Sequence, residues 1–192
     1  MLLLMMVAIS APPNKRINNG LLEQNIAALG RGEPDAFQAV YEATDRAVFG
    51  FILSIVRNAH DAEDIMHDTY LRIYDGASGY QPQGKPMAWI FTIARRLSLM
   101  QLRRKVPDDI EALHEEPAAA SLTAEAAVDR MVLQTALRVL SEEDRQIVIL
   151  HASAGMRHRE IAAILDLPLS TVLSKYRRAL RKLEAAIGEE PQ

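Results

Sequence analysis

The chain has 192 residues, with 22 Lys plus Arg against 25 Asp plus Glu, and its formal charge of −3 is too small to name a partner. That length makes one medium domain or two small ones, and 49% apolar residues is enough for a packed core. The absence of cysteine excludes disulfide frameworks, thiolate metal sites and cysteine nucleophiles, and fits a reducing compartment.

The chain opens on MLLLMMVAIS, followed by Ala11, Pro12 and Pro13. A secretory signal carries positive charge ahead of its apolar run, whereas Lys15 and Arg16 come after this one, so export is discounted. No run approaches the ~20 apolar residues of a membrane helix, which speaks against direct membrane insertion. Met5 and Met6 offer later starts, so this apolar opening is expected to be poorly ordered, and residues 1–32 read as an N-terminal tail and lead-in.

From residue 35 the pattern is helical. Phe37, Val40, Tyr41, Val48, Phe51, Ile52, Ile55 and Val56 recur at spacings of three and four, which predicts a helix near 35–57. Asp61, with Asp64 three residues on, is the expected cap of a second helix that places Ile65, Tyr70, Leu71 and Ile73 inward and stops at Gly76. SGYQPQGKP, with two prolines and two glycines, reads as a loop before the helical MAWIFTIARRLSLMQLRRK. Residues 106–123 are acidic, proline-interrupted and without a period, so they read as a linker that leaves the two flanking units free to reorient. Helices are expected again at 124–140, in EEDRQIVILHASA behind a Ser141/Asp144 capping box and closed by Gly155, in MRHREIAAILD, and in a last helix entered through Pro168, Ser170 and Thr171. The expected fold is therefore all-α, two small helical domains on a flexible acidic linker, the second a four-helix unit. Its boundaries are 33–106, 107–127 and 128–187.

Charge is segregated along this plan. Residues 33–75 hold nine acids against three bases, 76–106 hold six bases and no acid, 107–127 six acids and no base, and 128–187 ten bases against seven acids. Such alternation suits a chain in which particular surfaces meet a polyanion. The sharpest case is the last pair of helices, which reads as a helix-turn-helix. Ile161, Ala162 and Leu165 face Val172, Tyr176, Leu180 and Leu183 across a turn at Asp166–Pro168. Ser170, Thr171, Ser174, Lys175, Arg177, Arg178, Arg181 and Lys182 are left outward, with five bases and no acid. A merely solvated helix normally mixes signs; small hydroxyl residues followed by long cations suit a major groove. In the 86–105 helix, Trp89, Ile90, Ile93, Leu97 and Leu102 form a stripe while Lys85, Arg95, Arg96, Arg103, Arg104 and Lys105 crowd the rest. Tyr80 and Trp89 beside a basic track are compatible with base stacking, although the spacing of Trp89 to Ile93 favours a core role. A third cluster, His60, Asp64, His67 and Asp68 on one helical face, has ligand types suited to a divalent metal. No matching Glu-x-x-His set recurs on another helix, so no metal or other cofactor is expected, and an acidic docking face explains it better.

Taken together and in this order, DAEDIMHDTYLRIY, PMAWIFTIARRLSLMQLRR and LSEEDRQIVILHASAGMRHREIAAILDLPLSTVLSKYRRALRKL resemble a bacterial RNA polymerase sigma factor of the extracytoplasmic-function (ECF) group of the sigma-70 family. The resemblance implies that 33–106 is sigma region 2 and 128–187 sigma region 4. It implies a core polymerase-binding face, toward the beta-prime clamp, made of Asp61, Asp64, His67, Asp68, Tyr70 and Leu71. Tyr80, Lys85, Arg95, Arg96, Arg103 and Arg104 would meet the minus-10 element. Arg157, Arg159, Ser170, Thr171, Ser174, Lys175, Arg177, Arg178, Arg181 and Lys182 would meet the minus-35 element of promoter DNA. It further implies contact with the polymerase beta flap, a linker that threads toward the RNA exit path, an anti-sigma factor, a cytoplasmic location and a place in stress response. The sequence departs from the family pattern at Arg96 and Met100, where Asn and Asp are frequent, at Leu173, where a base is common, and at His67, where Gln is common. All four lie on faces expected to point outward or to meet partners. No phosphate-binding glycine loop, Gly-x-Ser-x-Gly or His-Glu-x-x-His is present, so no catalytic residue and no enzyme activity is expected. A helix-turn-helix regulator acting without polymerase is the alternative, and a metal-dependent hydrolase a remote one.

Overall fold

A computed structural model describes residues 17–104 and 139–188, and all regular structure among them is helical. The expected linker, and the expected 124–140 helix apart from its last two residues, lie outside the described residues.

The first helix falls where only a lead-in was expected. Helix α1 (Asn19–Gly30) is capped by the Asn18 side chain, which accepts from the Leu21 N–H at 3.2 Å, and buries Leu22, Ile26 and Leu29. These are helical spacings flanked by a cap and a glycine, a signal that the apolar opening of the chain overshadowed.

Helices α2 (Ala36–Val56) and α3 (Ala59–Gly76) follow closely on the expected bounds. Helix α3 starts from Asn58 rather than Asp61: the Asn58 side chain accepts from the Asp61 N–H at 2.9 Å, which leaves Asp61 inside the first turn, where its charge favours the dipole. A short 3-10 turn (Ala77–Gly79) leads through the loop to α4 (Pro86–Arg104). The core stripe of α4 runs through Met87, Ile90, Phe91, Ala94 and Ser98, so it is rotated from the expected one and leaves Trp89, Ile93 and Leu97 half-buried. Ser98 is tolerated inside because its hydroxyl donates to the Ala94 carbonyl at 2.8 Å. Phe91 meets Phe51 edge-on at 5.1 Å at the centre of this unit.

The C-terminal unit comprises α5 (Glu142–Ala152), α6 (His158–Leu165) and α7 (Leu169–Gly188). Ser141 caps α5 by accepting from the Asp144 N–H, while the Asp144 carboxylate is turned toward α7. Asp166 takes a left-handed conformation, φ 56°, and sets the sharp turn between α6 and α7.

The two units are not separated in space. Helix α2 packs against α5, α4 packs against α6, and one cluster of buried apolar side chains runs from Leu22 and Phe51 through Ile147, Leu150 and Ile161 to Val172. The expectation of freely reorienting units rested on linker composition; the structure adds a shared apolar interface whose burial favours one arrangement.

Candidate nucleic-acid interface

Three surfaces collect the residues singled out by sequence. On α3, Asp64, His67, Asp68 and Leu71 are exposed, with Leu71 49% and Tyr74 56% exposed. Asp61 is partly covered, and Tyr70, expected on the same face, is buried. Its phenol lies 2.8 Å from the Thr44 hydroxyl and its ring packs against Tyr41 at 4.7 Å, so Tyr70 holds α3 to α2 instead of facing a partner. Burial pushes its phenol pKa upward and keeps it neutral. Among the described residues no group of three or more His, Asp or Glu side chains could hold a metal ion, so His60, Asp64, His67 and Asp68 do not gather into a ligand set.

The second surface is the loop and outer face of α4. Lys85, Arg96, Arg103 and Arg104 are exposed, while Arg95 is half-buried and donates to the Leu165 carbonyl at 3.4 Å. Arg95, Arg96 and Arg103 line a groove of about 410 Å³ together with Thr92, Leu99, Met100 and Ile164, so part of this basic face looks onto α6. Tyr80 does not stand free as a stacking platform: its ring lies 4.8 Å from that of Trp89. Its hydroxyl donates to Glu23 at 3.0 Å. Burial and the adjacent carboxylate both push its pKa upward. Glu23 was not singled out by sequence, and no local spacing connects it to a loop 57 to 61 residues away.

The third surface is α7. Val172 and Ala179 are buried, Tyr176, Leu180 and Leu183 half-buried, and Ser170, Ser174, Arg177, Arg178, Arg181 and Lys182 exposed, as are Arg157 and Arg159 at the start of α6. Thr171 is partly covered. Lys175 turns back toward α5, where its ammonium sits 2.8 Å from Glu143 and 3.7 Å from Asp144. Behind the face, His151, His158 and Tyr176 form an aromatic triangle with centroids 4.3–4.8 Å apart. His151 Nδ1 meets the Met156 carbonyl at 2.8 Å, and His158 Nε2 is buried without a hydrogen bond. The four departures from the family pattern, His67, Arg96, Met100 and Leu173, all face outward. No described helix is long and apolar enough to cross a membrane.

The segments that carry these surfaces match known families. The model for sigma-70 region 2 matches residues 40–106, and that for sigma-70, region 4, matches 130–183. The ECF RNA polymerase sigma factor SigK of Mycobacterium ulcerans is 28% identical over 183 residues, covering 91% of this chain and 96% of its own. SigW of Bacillus subtilis is 25% identical, covering 84% and 96%. Among solved structures, CnrH in complex with the cytosolic domain of CnrY superposes with a TM-score of 0.60 at 22% identity, covering 88% of this chain and 98% of that one. RpoE from Bartonella quintana, in complex with the anti-sigma factor NepR, gives 0.62 at 22% identity, covering 82% and 99%. Two sigma-70 regions in the right order, relatives matched over nearly their full length and a shared helical fold place the chain in the extracytoplasmic-function group of the sigma-70 family, whose members bind RNA polymerase and direct promoter recognition.

Proposed function

We propose that the three surfaces divide this work between them. The exposed acids of α3 dock on the beta-prime clamp of core polymerase, the loop after α3 and the basic face of α4 read and open the minus-10 element, and α7 reads the minus-35 element while its unit rests on the beta flap. The observation that carries this reading is the exposed face of α7 at 170–182, which holds four cations and no acid. Phosphates and base edges complement such a face. Sigma factors are not enzymes, and the chain works in the cytoplasm, where polymerase and promoter DNA are found.

An anti-sigma factor is the natural regulator. The packed arrangement already turns part of the α4 face toward α6. A partner that prefers this arrangement to an open one suppresses promoter binding by linkage alone.

Transcription in vitro with purified core polymerase tests the reading. The chain is expected to bind promoter duplex weakly alone and to direct initiation once core is added. Tight specific duplex binding without core, and no initiation with it, supports instead an ordinary helix-turn-helix regulator.

A further inference from the structure

The loop assigned to the minus-10 element is held by a helix outside the region 2 match. Its sequence, with Pro82, Gly79 and Gly84, gives it little preference for one shape, and Gly84 sits at φ +69°, open to glycine with little strain. Yet one carboxylate oxygen gathers it. Glu23 Oε1 accepts from the Tyr80 hydroxyl at 3.0 Å, from the Gln83 N–H at 2.9 Å and from the Gly84 N–H at 2.8 Å. Tyr80 is braced from its other side by Trp89. The far end of α1 fixes the start of the loop: Gly30 lies so close to the 3-10 turn that a Cβ there would come within 2.6 Å of the Ala77 carbonyl oxygen. Helix α1 therefore clamps both ends of one short segment.

From this geometry we infer that Glu23 is a positioning residue for minus-10 recognition, pre-forming the 80–85 loop before DNA arrives. The inference rests on the assignment of that loop to the minus-10 element. Because Tyr80 OH and two backbone N–H groups are committed inward, the loop offers DNA the exposed side chains of Gln81, Gln83 and Lys85. Amide side chains and a cation are suited to base edges and phosphate. Ordering a flexible loop on binding lowers affinity, and ordering it beforehand removes that cost.

The experiment uses holoenzyme reconstituted from the full chain and core polymerase, on promoter libraries randomised separately at the minus-10 and minus-35 positions, read by sequencing the transcripts. Glu23→Ala is expected to lower selective initiation about tenfold, the loss expected of hydrogen bonds to a charged acceptor. It flattens the minus-10 preference and leaves the minus-35 preference and binding to core unchanged. Glu23→Gln keeps a carbonyl acceptor for the two backbone N–H groups and restores most of the minus-10 profile. Tyr80→Phe, which loses only the hydroxyl, gives a smaller loss of the same kind and serves if Glu23→Ala folds poorly. An unchanged minus-10 profile in Glu23→Ala, or an equal loss at both elements, overturns the inference. Wild-type holoenzyme that initiates but shows no minus-10 preference overturns the loop assignment beneath it, and the inference falls with it.

Discussion

The ammonium of Lys175 lies 2.8 Å from the Glu143 carboxylate and 3.7 Å from the buried Asp144, so this lysine ties α7 to α5. Its side chain is only 21% exposed, against 45% for Lys182, which approaches Asp144 at 3.9 Å. Lys175→Ala removes the nearer partner of a buried carboxylate. The expected cost is about 2 kcal/mol of stability, or a Tm lower by roughly 4–8 °C, measured by thermal denaturation. An unchanged Tm would show that Lys175 is free for DNA after all.

Arg178 and Arg181, exposed on the same helix, are expected to separate base reading from phosphate binding. Arg178→Ala relaxes preference at one or two minus-35 positions with a loss of about 1–3 kcal/mol, whereas Arg181→Ala weakens all sequences alike and reduces the salt dependence. Identical sequence profiles for the two variants would refute the division.

Asp64 and Asp68 stand exposed on α3, one turn apart, so reversing their charge leaves the core untouched. The double variant Asp64→Lys, Asp68→Lys is expected to keep the wild-type Tm and to lose most of its association with core polymerase. Undiminished association in a pull-down removes α3 from the docking surface.

His158 is held below its ordinary pKa, first by burial and then by the stacked His151. The neutral ring is thus favoured in the folded chain, while the unfolded chain takes up a proton near pH 6.5. Between the folded-state pKa and ~6.5 the unfolded chain binds more protons, so this contribution to stability is complete above that range and fades as pH falls through it. His158→Phe keeps a ring against His151 and Tyr176 and is expected to flatten the decline in Tm between pH 7 and pH 5.5. An identical decline in the variant would assign the acid sensitivity elsewhere.

Arg57 ends α2 at φ 57°, a left-handed conformation that costs a side-chain-bearing residue about 1 kcal/mol relative to glycine. It also places a like charge near Arg145, whose guanidinium pKa is lowered mainly by burial and further by Arg57. Both effects act in one direction, so Arg57→Gly is expected to raise Tm by roughly 2–4 °C. A lowered Tm would mean that Arg57 makes a compensating contact.

The chain alone disclosed the described helices from Ala36 onward, the turn at Asp166 and the acid-free exposed face of α7 at 170–182, because the 3.6-residue period and the capping residues are local properties that survive in the linear order. It also carried the signature of its family, since DAEDIMHDTYLRIY and the helix-turn-helix are contiguous segments. What it could not disclose depends on which helix lies across from which. Tyr70 and Leu71 are neighbours of similar apolarity, yet α2 covers one and leaves the other to solvent. Lys175 and Arg178 share one helix and one charge, but only the former has acids of α5 within reach. Glu23 meets a loop some 60 residues away, and α2 meets α5 across the segment that composition marks as a linker. These pairings are set by packing shape and burial between distant segments, which no spacing within a single segment records.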